Sequence, residues 1–205
     1  MTGLTQTYLG AIIAARDCEL GWPLEHINMA LVFFKAQNAK KGNAIVITSL
    51  DLKHLRRCIQ LAEMALQKGD QPFGSILVSA DGEILAEDHN RVAGGDHTQH
   101  PEFALARWAA ANMTPEERKQ ATVYTSGEHC PMCAAAHGWV GLGRIVHASS
   151  SEQLVRWLAE MDVGPSRVRN LPIHEVIRDT RVDGPVPELA EQVRRLHLEF
   201  YARKR

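Results

Sequence analysis

The sequence predicts an α/β protein: a three-layer α/β/α sandwich in which helices cover both faces of a mixed central sheet. Three observations predict it. Strand-length runs rich in β-branched and apolar residues alternate with helix-period segments from residue 52 onward. The first two of those runs flank Ala80-Asp81-Gly82, a hairpin turn signal. Strands beyond the hairpin are separated by helices, which makes the sheet mixed and covers it on both sides.

Each element follows from its own residues. Residues 1–50 carry the weakest pattern, with Leu24 to Phe34 as a short helix, Lys40-Lys41-Gly42-Asn43 as a turn and Ala44 to Ile47 as a short strand. They read as an extension that packs on the main domain, 51–205, or on a partner subunit. Leu55, Ile59, Ala62, Met64 and Leu66 approximate helical spacing from Leu52, with Ser49 or Asp51 available as a cap. Gly69-Asp70-Gln71-Pro72 stops that helix. Phe73 to Val78 and Ile84 to Ala86 are the hairpin strands, and Asn90 to His97 is a Gly-rich polar loop. Glu102 to Asn112 is an Ala- and Leu-rich helix, Pro115 opens a short further turn, and Thr122 to Thr125 is a strand. Pro131 to Val140 is a helix, Arg144 to Ala148 a strand, Glu152 to Glu160 a helix, and Glu175 to Ile177 a last short strand. Pro187 to Ala202 closes the chain as a long amphipathic helix.

Bulk composition narrows the partners. Lys plus Arg number 23 against 24 Asp plus Glu, a formal net charge of −1. Such a balance gives no electrostatic reason to expect a nucleic-acid partner. No window approaches the length of apolar chain that spans a bilayer, and Leu9 to Ala15 runs straight into Arg16 and Asp17, unlike a signal peptide. The four cysteines, at 18, 58, 130 and 133, do not suggest a disulfide framework in a chain able to bury a real core. A cytoplasmic, reducing location is expected.

The chemistry sits in two short runs. His100-Pro101-Glu102 opens one helix and Cys130-Pro131-Met132-Cys133 opens the next. Two cysteines three apart at a helix start can point at one ion, and zinc (Zn2+) prefers thiolates and imidazoles in a tetrahedron. His100, Cys130 and Cys133 make three ligands and leave a fourth place for water, as catalytic zinc sites do. Glu102 is too near His100 to be a comfortable fourth ligand, yet near enough to move protons at that place. Alone, Cys-x-x-Cys would equally fit a redox pair or half of a structural zinc site. His137, four residues after Cys133 on the same helical face, offers a route to a closed Cys₂His₂ site and hence to a non-catalytic zinc-stabilised module. The full order His-x-Glu, then Cys-x-x-Cys, is the signature of zinc nucleobase deaminases.

At these residues the sequence resembles the cytidine and deoxycytidylate deaminase superfamily, most closely the subgroup of guanine, cytosine and tRNA adenosine deaminases. The resemblance covers residues 52 to 160. Besides the zinc motif it rests on Gln71-Pro72-Phe73-Gly74-Ser75-Ile76-Leu77-Val78, similar to the family's Pro-Phe-Gly strand, and on His89-Asn90-Arg91-Val92. It implies a cytidine deaminase-like fold and zinc-dependent hydrolytic removal of an exocyclic amine from a free nucleobase or nucleoside. By resemblance Asn90 would hydrogen-bond the base, Phe73 would wall the pocket, the Ser75 backbone would lie beside the substrate, and Trp139 falls where guanine deaminases carry a pocket Trp. That set leans toward guanine, with cytosine, cytidine or a tRNA adenosine as alternatives. Relatives of this kind are dimers or tetramers, so a homodimer is expected. Pro101 replaces a common Ala and His129 a common Pro, without removing a ligand.

Overall fold

The structure, a computed structural model, describes residues 47–204; the expectations placed on residues 1–46 lie outside that range. Helix α1 (Ser49–Gln67) starts one turn before the sequence pattern becomes clear. Its cap is neither Ser49 nor Asp51 but Thr48. The Thr48 hydroxyl accepts the Asp51 N–H while the Asp51 carboxylate accepts the Thr48 N–H, a capping box. Strands β1 (Gly74–Val78) and β2 (Ile84–His89) form the expected hairpin. The Ser79 N–H donates to the Glu83 carbonyl across the turn, where Gly82 has a φ of +87° that a side chain would strain.

Next come α2 (Pro101–Asn112), α3 (Pro115–Gln120), β3 (Thr122–Gly127), α4 (Pro131–Val140), β4 (Arg144–Ser149) and α5 (Ser151–Glu160). The chain ends in α6 (Ile173–Val176), β5 (Val182–Asp183) and α7 (Pro187–Ala202). The sheet runs β2-β1-β3-β4-β5: β1 is antiparallel to both neighbours, and β3, β4 and β5 are parallel. This is the mixed sheet of the predicted fold class. Two expectations differ in detail. Glu175 to Ile177 is not a strand, because Ile173 to Val176 makes one helical turn that buries Ile173. The last strand is instead Val182–Asp183, paired with Ile145 and Val146 and too short to show a period of two.

Side chains alternate across the sheet with strand periodicity. Ile76, Val78, Tyr124, Val146 and Ala148 face one layer, with Leu55 and Ile59 of α1, Trp157 of α5 and Val193 of α7. Leu77 and Val123 face the other, with Leu105 and Ala109 of α2. Ile145 packs there on Ala134 of α4 and Ile173 of α6. Gly74 lets α1 lie against β1: a Cβ at that position would sit 2.5 Å from the Cys58 carbonyl oxygen and 2.7 Å from the Ala62 nitrogen.

A polar cluster ties the layers together. Asp51 is 2% exposed and accepts hydrogen bonds from the Tyr124 hydroxyl (2.8 Å) and Arg144 Nη1 (2.7 Å), while Arg144 Nε also donates to Asp183 (2.6 Å). Burial alone would raise the Asp51 carboxyl, but Arg144, Thr48 and Tyr124 outweigh it and hold the group well below the usual carboxylate range. A folded-state pKa below the unfolded value stabilises the fold above about pH 4, and that stabilisation is lost as the pH falls below it. Asp51→Asn is therefore expected to cost about 3 kcal/mol at pH 7 and to flatten the acid limb. Urea melts between pH 3 and 7 measure both; an unchanged midpoint at pH 7 would remove this cluster from the account of stability.

Candidate metal centre

Two helix starts place the chemistry. His100 is the N-cap residue of α2 and Cys130 the N-cap residue of α4, with Glu102 and Cys133 in the respective first turns. Proline follows each cap, at a position where its missing N–H costs nothing and its fixed φ suits the helix. The departure at Pro101 is thus a good helix start. Helices α2 and α4 pack on one another, which brings the two short runs together.

The three candidate ligands form a nearly equilateral triangle. His100 Nδ1 lies 3.5 Å from Cys130 Sγ and 3.6 Å from Cys133 Sγ, and the sulfurs are 3.5 Å apart. A tetrahedral zinc ion with its usual bond lengths needs S···N edges of about 3.5 Å and an S···S edge of about 3.8 Å. The donor set fits zinc in kind and in size. Among the described residues this is the one group of three or more His, Cys, Asp or Glu side chains close enough to share an ion.

Electrostatics agree with the geometry. The two thiols share a single hydrogen bond, which together with His100 pulls the Cys130 thiol down; the same bond and burial push Cys133 up. The Cys130 sulfur in turn raises His100. Burial pushes the Glu102 carboxyl up from its ordinary value, opposed by His100 and by the Thr125 hydroxyl.

His137 does not close the site. Its Nε2 pairs with the Gly143 carbonyl at 3.0 Å, and burial holds the ring below its usual pKa. The second unusual histidine, His129, is 1% exposed, packs edge-on against His137 with ring centres 5.5 Å apart, and is not a member of the ligand group.

A cavity of about 570 Å³ opens on this triangle, with His100, Glu102 and Cys130 in its lining. Phe73 is among the residues of its wall. Asn90 is fully buried, its N–H donating to the Phe73 carbonyl, and neither its amide oxygen nor its amide nitrogen has a hydrogen-bond partner. Ser75 is also fully buried, and its side chain turns toward Glu102. Neither Asn90 nor Ser75 is part of the cavity lining, and Trp139 is not brought to it either. It stands 90% exposed near the end of α4. His97 lines the entrance loop.

Leu154 and Leu158 of α5 and His197 of α7, which sequence reasoning missed, also line the cavity, as does Tyr201 at the end of α7. On helix periodicity they read as core, and only the fold distinguishes core from cavity. His197 carries the strongest signal. It is 2% exposed, lies edge-on to Phe73 at 5.0 Å, and neither ring nitrogen has a partner. Burial draws its pKa down to about 4, so the ring is neutral near pH 7.

Residues 48–149 match the family described as the cytidine and deoxycytidylate deaminase zinc-binding region. The probable cytosine deaminase of Schizosaccharomyces pombe is 34% identical over 110 residues, covering 54% of this chain and 67% of that protein. The guanine deaminase of Bacillus subtilis is 34% identical over 97 residues, covering 46% of this chain and 62% of its own length. In fold the chain is similar to a structure from work on tRNA:A34 deaminases, with a TM-score of 0.52 and 23% identity over 71% of this chain and 99% of that one.

A triangle of this kind should bind one zinc per chain. Cys133→Ser is expected to weaken zinc affinity more than about 100-fold, beyond the effect of losing an outer-shell partner, whereas His137→Ala leaves the stoichiometry at one. Metal analysis after competition with a chelator measures both. Full zinc retention in Cys133→Ser would exclude the triangle as the metal centre.

Proposed function

The chain belongs to the cytidine and deoxycytidylate deaminase family, and from that premise we propose that it hydrolytically deaminates a free nucleobase or nucleoside, with guanine as the leading substrate. One observation carries this reading: a zinc-sized His-Cys-Cys triangle beside a buried glutamate, in the wall of a cavity large enough for a heterocycle. A zinc ion held by His100, Cys130 and Cys133 supplies Lewis acidity and brings the pKa of a water molecule toward neutrality.

The protein's own groups do the rest. Glu102 takes a proton from the water whose oxygen attacks the amine-bearing ring carbon, and gives it to a ring nitrogen. Glu102 then takes the remaining proton of that oxygen and delivers it to the departing amine as the carbon–nitrogen bond breaks, so that the ring carbon keeps a carbonyl and ammonia leaves. Phe73 supplies an aromatic face to the ring. The free amide of Asn90 supports its role as the group that reads the heterocycle's edge, since a buried amide with both ends unpaired is costly unless a ligand completes it.

Guanine is supported by the likeness to the Bacillus subtilis enzyme; the exposure of Trp139 withdraws the residue that argued most directly for a purine. Cytosine is the second reading, favoured by the fission-yeast relative, of which the match covers the larger share. A tRNA substrate has less support, because the net charge is −1 and a polyanion needs phosphate contacts. Among the described residues no helix is long and apolar enough to cross a membrane. We place the protein in the cytoplasm, where free thiols persist, as a homodimer.

Ammonia release from guanine, cytosine, adenine and their nucleosides tests the reading, with guanine expected to give the highest kcat/KM. Glu102→Gln should lower kcat by about 10²–10⁴-fold, the range of general acid–base catalysis, while one zinc stays bound. Turnover of tRNA alone, or an unimpaired Glu102→Gln protein, would sink this assignment.

A further inference from the structure

Ser75 and Thr125 face each other across the central strands β1 and β3 as a directly opposed pair, both fully buried. Their hydroxyls converge on one atom. Ser75 Oγ lies 2.9 Å and Thr125 Oγ1 2.8 Å from Glu102 Oε1, and the two hydroxyls are 2.9 Å from each other. Thr125 Oγ1 is also 2.9 Å from the Gly127 carbonyl oxygen.

The simplest account is that buried hydroxyls must find an acceptor, and Glu102 happens to be near. The proton inventory argues otherwise. Each hydroxyl has one proton to give. Ser75 could donate to Thr125 and Thr125 to Gly127, leaving neither hydroxyl unsatisfied and neither in need of a carboxylate. Glu102 is the member that depends on the arrangement: its carboxylate is buried on a helix start, and two hydroxyls fixed by paired backbone meet the same oxygen. Neither hydroxyl engages Oε2.

We propose that Ser75 and Thr125 are positioning residues that clamp Glu102 by Oε1, so that its orientation is set by the sheet and Oε2 is the oxygen presented for proton exchange. This rests on the deaminase reading above and deepens it. The assignment gives the Ser75 side chain a task separate from its backbone's place beside the substrate, and brings in Thr125, which the sequence marks only as a strand residue. Held groups of this kind speed reactions by removing misaligned rotamers before substrate arrives. The clamp therefore acts on kcat rather than on substrate affinity. The second acceptor at Gly127 keeps Thr125 satisfied whenever Glu102 turns from acceptor to acid.

Three variants test it: Ser75→Ala, Thr125→Val, which keeps shape and removes the hydroxyl, and Thr125→Ser, which restores the hydroxyl. Thr125→Val and Ser75→Ala should each lower kcat about tenfold, typical of an outer-shell partner. Their KM and one-zinc stoichiometry should stay unchanged, and Thr125→Ser should recover most of the rate. The substrate is whichever base or nucleoside the wild-type protein turns over best. A second readout needs no turnover: the ¹³C-carboxyl resonance of Glu102, assigned by its absence in Glu102→Gln, should move in both hydroxyl-free variants and return in Thr125→Ser. A resonance and kcat indifferent to Ser75→Ala and Thr125→Val would overturn the clamp and leave the deaminase reading standing, as would a loss seen only in KM or zinc content. A wild-type protein inactive on every base and nucleoside, with the resonance moving as expected, would overturn the deaminase reading and leave the clamp on Glu102 in place.

Discussion

The structure turns on the side-by-side packing of α2 and α4, because that contact brings two distant helix starts to one point. Helix N-termini offer unpaired N–H groups and the positive end of a dipole, so they tolerate thiolate and carboxylate charge that a helix middle would reject. Cys130 and Glu102 both use this property. The ligand triangle, with edges of 3.5 to 3.6 Å, has no slack for one helix to slide against the other. Much of the remaining fold fixes that relation. Leu105 and Ala109 seat α2 on Leu77 and Val123, and Ala134 seats α4 on Ile145, so both helices are referenced to the same face of one sheet.

The opposite face carries a different duty. Helices α1, α5 and α7 share a core there, and α5 and α7 extend past it to wall the cavity through Leu154, Leu158, His197 and Tyr201. Sheet and helices are thus divided between a layer that builds the reacting groups and a layer that shapes the space above them. Strand β1 connects the two. Phe73 stands just before it in the wall, Gly74 permits α1 to close on it, and Ser75 reaches Glu102.

Legibility in the sequence follows from the range of each interaction. Helices α2, α4 and α7 announce themselves because proline at the first turn and a helix-forming composition are local signals. The ligands and Glu102 were legible for the same reason: each pair lies within one helical turn, and the chemistry of the donor types does not depend on the rest of the chain. The cap at Thr48 was missed by one residue or more, since Ser49 and Asp51 are equally good caps by type and only the reciprocal bonds decide. Strand β5 was invisible because two residues carry no period, and it exists by pairing with β4. His197 and Tyr201 read as helix core because a helix face looks the same whether it meets a sheet or a cavity. Trp139 shows the converse: the family resemblance implied a pocket residue there, whereas it stands exposed on α4.

That outward turn changes how the substrate is to be read. Trp139 stands away from the cavity, whereas Asn90 and His197 carry buried polar atoms without partners. An unsatisfied buried polar group costs about 1–3 kcal/mol, and Asn90 leaves two such atoms, His197 two more. Folding tolerates that cost where a ligand later repays it. Asn90 is anchored by its backbone to Phe73, and His197 packs its ring edge-on to the same phenyl group, so both free polar groups are referenced to one aromatic face. A neutral imidazole offers one donor and one acceptor, and an amide offers both as well. Under the proposed function, such groups would suit a flat heterocycle that alternates ring nitrogens with carbonyl or amino groups.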